Sequence, residues 1–136
     1  MQVKVEQIDG RRIAIRTRGL ELIVDDRIED GGPGDGFRPA ELLLGSLGAC
    51  MIGTMITFAR NQGIEVTNIS MDVDGTTYEH PERIGEIHIV MDLDTDADDR
   101  RLRTLERVAG ACKIHKTLTR EPEIHFDFRP RSTTEA

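Results

Sequence analysis

The segment from Pro39 to Gly63 constrains the fold more than any other part of the chain. It holds Leu42, Leu43, Leu44, Leu47, Met51, Ile52, Met55, Ile56 and Phe58, and charge is confined to Glu41 and Arg60 near its ends. Proline suits the first turn of a helix, where its missing N–H costs nothing, and glycine suits the stop. The pattern predicts one helix of roughly 37 Å, the width of a small domain. A helix apolar nearly all round is a buried helix. Gly45, Ser46, Gly48, Ala49 and Gly53 would let another backbone approach closely, and packing has to offset the helix propensity that the glycines give up.

The flanking sequence supplies sheets to bury it. Val3, Val5 and Ile8, then Ile13 and Ile15, then Leu20, Leu22 and Val24 read as a three-stranded meander over residues 2–25. Asp9-Gly10 and Arg18-Gly19 mark its turns. Residues 29–36 hold four glycines and a proline, so they form an irregular loop. Val66, Ile69, Met71 and Val73 predict a further strand, and Ile84, Ile87, Ile89, Met91 and Leu93 another, with the turn at 78–83. Asp98 opens a second helix, on which Leu102, Leu105, Val108, Ala109 and Cys112 recur at helical spacing. A helical turn over 114–118 follows, and Ile124, Phe126 and Phe128 alternate as a last strand. The order is βββ-α-ββ-α-β, an α+β domain. One domain over 1–129 and a disordered tail over 130–136 are expected.

Charge narrows the function classes. Acids outnumber Lys and Arg by 25 to 18, for a net charge of −7. That sign argues against a nucleic-acid binder and against docking on an anionic membrane face. No apolar run is read as approaching the ~18 residues of a membrane span, and residues 1–6 hold no apolar signal core. A cytoplasmic enzyme or binding domain is the expectation. With four Phe, one Tyr and no Trp, the core must be aliphatic and Met-rich. A core this lean is often completed by a second subunit.

Two cysteines are too few for a disulfide-stapled scaffold. Cys50 falls mid-way along the apolar helix and Cys112 at the end of the amphipathic one, both on core faces. Packing of the two helices on a sheet would bring them together. They read either as inert buried thiols or as a redox pair. Activation needs a positive charge near one of them. Lys113, His115 and Lys116 follow Cys112, whereas Cys50 has no cationic neighbour in sequence and would need one delivered from elsewhere.

Two segments carry a family resemblance. Pro39-Ala40-Glu41-Leu42-Leu43-Leu44-Gly45-Ser46-Leu47-Gly48-Ala49-Cys50 resembles the P-x-E-L-L-L-x-S-L-G-x-C segment of the OsmC/Ohr family. Ala111-Cys112-Lys113-Ile114-His115-Lys116-Thr117-Leu118 resembles its second cysteine segment, C-P-V-H-x-x-L. The 62-residue gap between the cysteines, Arg18-Gly19, the glycine-rich loop and the element order also fit, so the resemblance spans essentially the whole chain. It implies an intertwined homodimer with central cysteine helices. For peroxidase members it implies reduction of organic hydroperoxides without metal, flavin or other cofactor, and the expected activity here is a thiol peroxidase acting on organic hydroperoxides or hydrogen peroxide. Cys50 would attack the peroxide oxygen, Cys112 would resolve the sulfenic acid as a disulfide, and a dithiol of lipoyl type would reduce that disulfide. The alternative is a non-peroxidase OsmC-like dimer that binds a small apolar ligand or performs other thiol chemistry.

The peroxidase branch also uses an arginine and a glutamate beside the reactive thiolate. Arg18 is the favoured arginine, with Arg27 and Arg38 as rivals. The branch places its glutamate ten residues before the first cysteine, where this chain has Ala40; Glu41 is nine before. One helical position is a rotation of ~100°, and nine residues span ~13 Å, so Glu41 could serve Cys50 only across a dimer. Its other reading is an acid stabilised at a helix N-terminus. Lys113 replaces the family's proline. His115 reads as a structural histidine or an aid to a Cys112 thiolate. Glu123, His125 and Asp127 alternate as the wet face of a strand rather than as metal ligands.

Overall fold

The computed structural model describes residues 1–132. Strands β1 (Lys4–Asp9), β2 (Arg12–Thr17) and β3 (Leu20–Val24) form an antiparallel sheet in the order β1-β2-β3. The second turn has Arg18 at φ 49° and Gly19 at φ 78°, the two positive angles that let a two-residue hairpin follow the strand twist. Helix α1 spans Pro39–Asn61, β4 Val66–Tyr78, β5 Arg83–Thr95, α2 Asp99–Ala109 and α3 Lys113–Thr119. A single 3₁₀ turn at Ile28–Asp30 breaks the loop before α1.

Strands β4 and β5 form a long hairpin in which Met71 faces Met91 and Val73 faces Ile89. Alternation puts these pairs on one face, and α1 packs there. Gly48 makes the approach possible: a Cβ at that position would lie 3.0 Å from Met71 Sδ and 3.3 Å from a Val73 methyl. The buried core is Met55, Ala59, Ile64, Leu105 and Ala109, with Met51, Phe58, Ile69 and Met91 against it. Helices α1 and α2 and the hairpin thus share one aliphatic, Met-rich core. The meander shares no extensive interface with α1.

The loop before α1 is fastened to β3. Phe37 N–H donates to the Ile23 carbonyl at 3.2 Å, and Asp25 N–H to the Phe37 carbonyl at 3.1 Å. Asp25 is buried, and its Oδ2 accepts from the Asp35 N–H at 3.1 Å. The two carboxyl groups contact each other, which raises the Asp25 pKa and lowers that of Asp35.

Three expectations are corrected. Residues 124–128 form no strand: Ile124, Phe126 and Phe128 are 84%, 82% and 78% exposed. Their alternation is that of a strand, but among the described residues no strand pairs with them. Helix α1 is long and apolar enough, by length and composition, to cross a membrane, contrary to the reading that no run approaches that length. The glycines, serine and threonines that interrupt its leucines do not lower its overall hydropathy enough to exclude it. Its residues Leu47, Gly48, Met55 and Ala59 are buried, as in a core helix. Finally, Cys112 lies beyond α2 and starts α3. Of the expected disordered tail, 130–132 carry no regular structure, and 133–136 lie outside the described residues.

Candidate active site

Helix α1 presents Cys50 half-buried on the side that α3 approaches. Cys112 is buried, at 1% exposure, in the turn between α2 and α3. A helix leaves its first N–H groups without internal partners, and Cys112 fills one of these vacancies as the N-cap of α3. Its Sγ accepts the His115 N–H at 3.3 Å. The same turn brings the two thiols within hydrogen-bonding reach of each other.

The thiols are not equivalent. The Ile114 N–H holds the Cys50 thiol below the ordinary thiol range, opposed by burial and helped by Cys112, the Lys113 N–H and the Thr54 side chain. Burial pushes the Cys112 thiol up, against the help of the His115 N–H. Of the two, Cys50 is therefore the thiol that ionises more readily. The positive partner that Cys50 lacks in sequence is delivered as backbone N–H groups of α3. No side-chain pattern announces such donors; the available signal was the Gly110-Ala111 break, which restarts a helix directly after Cys112. Thr54 was also missed, although it lies one turn beyond Cys50, where its hydroxyl donates to the Cys50 carbonyl at 2.8 Å.

This arrangement makes a direct prediction. Alkylation of Cys50 by iodoacetamide should reach half its maximal rate at a pH below that of an ordinary cysteine, and alkylation of Cys112 at a pH above it. Lys113→Pro removes one donor at a first-turn position where proline fits. It should move the Cys50 midpoint upward, while Lys113→Ala leaves it in place. A pH profile of peptide-resolved alkylation that is identical for Cys50 in all three proteins would refute the amide account.

The other candidates are placed elsewhere. Glu41 accepts the Arg38 N–H at 2.8 Å and pairs with the Arg38 guanidinium at 3.6 Å. The Arg38 N–H, then burial against it and the Arg38 charge, leave its carboxyl below the usual range. Within the chain Glu41 is a helix-capping acid, remote from Cys50 along α1. Arg27 pairs with Asp30 at 2.7 Å and with Glu29 at 3.2 Å. Arg18 stands at the exposed tip of the β2–β3 turn. The single chain therefore assembles Cys50, Cys112 and the α3 amides, but not Arg18 or Glu41. His125 lies beside Glu123 at 3.5 Å, and both are exposed.

Two largely apolar hollows lie along α1, and neither cysteine lines them. One, of about 410 Å³, is lined by Met51, Met55, Ile89, Met91, Leu102 and Leu105. The other, of about 270 Å³, is lined by Leu47, Ile84, Ile87, His115 and Leu118 among others. Both suit an apolar small molecule.

Comparison with known proteins places this geometry. The uncharacterised protein YmaD of Bacillus subtilis is 24% identical over 107 residues, which cover 73% of this chain and 71% of YmaD. The crystal structure of a Psychrobacter arcticus protein, described as an osmotic stress induced and detoxification response protein, superposes with a TM-score of 0.78. It is 25% identical, over 86% of this chain and 87% of that one. The organic hydroperoxide resistance protein OhrB of Bacillus subtilis shares the fold at a TM-score of 0.54 and 24% identity, over 89% and 92% of the two chains. A family model described as OsmC-like protein matches residues 32–127, which include α1, the β4–β5 hairpin and both cysteines, and the chain therefore belongs to the OsmC-like protein family.

Proposed function

We propose that the protein is a two-cysteine thiol peroxidase that reduces organic hydroperoxides. The observation that carries this reading is the paired asymmetry of the thiols: α3 amides favour the thiolate of Cys50, and within its reach lies a buried Cys112 whose thiol is pushed up. The Cys50 thiolate attacks the terminal peroxide oxygen. The O–O bond breaks, the alkoxide leaves as the alcohol on taking up a proton, and Cys50 becomes a sulfenic acid. The Cys112 sulfur then attacks the Cys50 sulfur and expels water, so the disulfide closes without an external thiol. A dithiol resets the pair. Leu47 and Met51, which flank Cys50 on α1, line hollows rich in leucine, isoleucine and methionine, which favours an apolar hydroperoxide over hydrogen peroxide. Family membership and the hydroperoxide-resistance function named for OhrB support the same reading.

The working unit is proposed to be a homodimer in the cytoplasm. The Ile124–Phe128 segment has a strand's alternation and no partner strand, and much of α1 is only partly covered. A second copy would supply both missing surfaces. It would also offer the route by which an arginine, with Arg18 first among the candidates, could reach Cys50.

The test is a thiol titration of fully reduced protein before and after one equivalent of cumene hydroperoxide. Loss of both thiols within seconds is the expected result. Survival of both through many minutes of excess peroxide would remove the peroxidase reading. It would favour the non-peroxidase alternative, in which the hollows along α1 bind a small apolar ligand.

A further inference from the structure

The chain has five methionines, and three of them meet around one hollow. Met51 and Met55 stand one turn apart on α1 and Met91 lies on β5. All three line the hollow of about 410 Å³ between α1, β5 and α2. Its other walls are aliphatic, and among the described residues Glu106 is its single polar side chain. The hollow reaches the surface at Glu106, which is exposed, and at Leu102, which is 39% exposed. The other two methionines stand outside it. Met1 is fully exposed. Met71 faces Met91 in the hairpin and is half-buried, as Met51 and Met91 are, but its Sδ lies against Gly48 of α1 instead.

Methionine serves in cores as a pliable filler of irregular gaps. Here three methionines leave a gap open, and its volume falls within the ~300–1,000 Å³ of small-molecule sites. The thioether is also the reactive group of this wall. Leucine, isoleucine and alanine are inert to a peroxide, whereas a thioether is oxidised to a sulfoxide. That reaction needs neither a general base nor an ionised sulfur, so its rate at each methionine depends on how often peroxide reaches the sulfur. The aliphatic walls favour an apolar body, and the acidic rim at Glu106 disfavours an anionic one. An uncharged alkyl or aryl hydroperoxide is the class that fits. Hydrogen peroxide has no apolar part and gains nothing from these walls.

We propose that this hollow is a modification site, in which an apolar organic hydroperoxide converts Met51 and Met91 to methionine sulfoxide. The thioether sulfur attacks the terminal peroxide oxygen with a lone pair. An S–O bond forms, the O–O bond breaks, and the hydroperoxide proton passes to the departing alkoxide, which leaves as the alcohol. The sulfur loses two electrons and the peroxide gains them. Met55 is 2% exposed and follows the other two. The reaction takes the same class of oxidant as the two-cysteine cycle but uses neither thiol. It is stoichiometric and slower, and it becomes visible once the Cys50–Cys112 pair is spent. Each sulfoxide sets a polar oxygen beside the buried core of Met55, Leu105 and Ala109, where burial without a hydrogen bond is unfavourable. Oxidation of the hollow therefore loosens the packing of α1 on α2 and records an overload of hydroperoxide.

The experiment exposes wild type, without reductant, and the Cys50→Ser variant to excess cumene hydroperoxide or hydrogen peroxide, and follows sulfoxide at each methionine by peptide mass spectrometry. With cumene hydroperoxide, Met51 and Met91 are expected to be oxidised about fivefold faster than Met1 and Met71 in both proteins. With hydrogen peroxide, exposed Met1 should lead. The alcohol 2-phenyl-2-propanol has the same apolar body and no peroxide bond. It should slow oxidation of Met51 and Met91 about threefold or more and leave Met1 unaltered. Met1 leading with both peroxides overturns the proposal. So does a Met71 rate equal to that of Met51, which would report burial alone, or an absence of protection by the alcohol. If the wild-type thiols are consumed while Met1 leads, the cysteine cycle stands and the modification site falls. If the thiols survive while Met51 and Met91 lead, the cycle falls and the modification site stands.

Discussion

Cys50→Ser is expected to lower the rate of hydroperoxide consumption by ~10³-fold or more, because loss of a nucleophile removes the reaction path rather than weakening it. Cys112→Ser should behave differently. Cys50 keeps its Ile114 and Lys113 amide donors in that variant, so one equivalent of peroxide should still be consumed. The sulfenic acid then has no neighbouring thiol to condense with. It should accumulate, be trapped by dimedone in intact-mass spectra, and progress to the sulfinic acid with excess peroxide. The two variants thus separate attack from resolution. Equal loss of the first turnover in both would contradict the roles assigned by burial and amide contact. The reverse pattern, in which Cys112→Ser blocks attack and Cys50→Ser does not, would exchange the roles.

Phe126→Asp combined with Phe128→Asp is expected to convert the proposed dimer to monomer. The rings lie 6.3 Å apart, both almost fully exposed in the protomer. Burial of a Phe side chain is worth about 1.5–3 kcal/mol, and a two-fold symmetric dimer would bury both rings from each chain. Their combined loss amounts to several kcal/mol, and the added carboxylates would have to be desolvated at the interface. The dissociation constant should therefore rise at least ~10³-fold. Sedimentation velocity at low micromolar concentration would show it, with Glu123→Ala as a control on the alternate face of the same segment. A wild type that sediments as a monomer, or a double variant that remains dimeric, would defeat the interface assignment.

Much of the fold was legible because local chemistry and tertiary need agree in it. Pro39 and Gly63 bracket α1, the Arg18-Gly19 turn sets the meander, and Asp98 caps α2 by accepting the Arg101 N–H at 2.9 Å. The pairing of Cys50 with Cys112 was legible from helix faces and from the family resemblance. Three features were not. The 124–128 segment has a strand's pattern, but a ladder needs an edge, and the sequence does not say on which chain that edge lies. The amides that lower Cys50 belong to the main chain of a short helix, and backbone donors leave no residue-type signature. The positive charge of residues 100–120 is plain in the sequence, but whether carboxylates pair with it is not. Among the described residues, its lack of ion-pair partners becomes apparent when ion pairs are traced in three dimensions.

The cap on α3 has an electrochemical consequence. The Cys112 sulfur that accepts the His115 N–H at 3.3 Å is the sulfur that any Cys50–Cys112 disulfide must use. A disulfide sulfur is a poorer acceptor than a thiol or thiolate, so oxidation weakens the start of α3, whereas reduction restores it. Loss of an N-cap contact costs about 0.5–2 kcal/mol, and for a two-electron couple 1.4 kcal/mol corresponds to about 30 mV. The cap therefore stabilises the dithiol relative to the disulfide and makes the reduction potential of the pair more positive by about 10–40 mV. The helix that lowers the Cys50 pKa thereby also makes the spent pair easier to recharge.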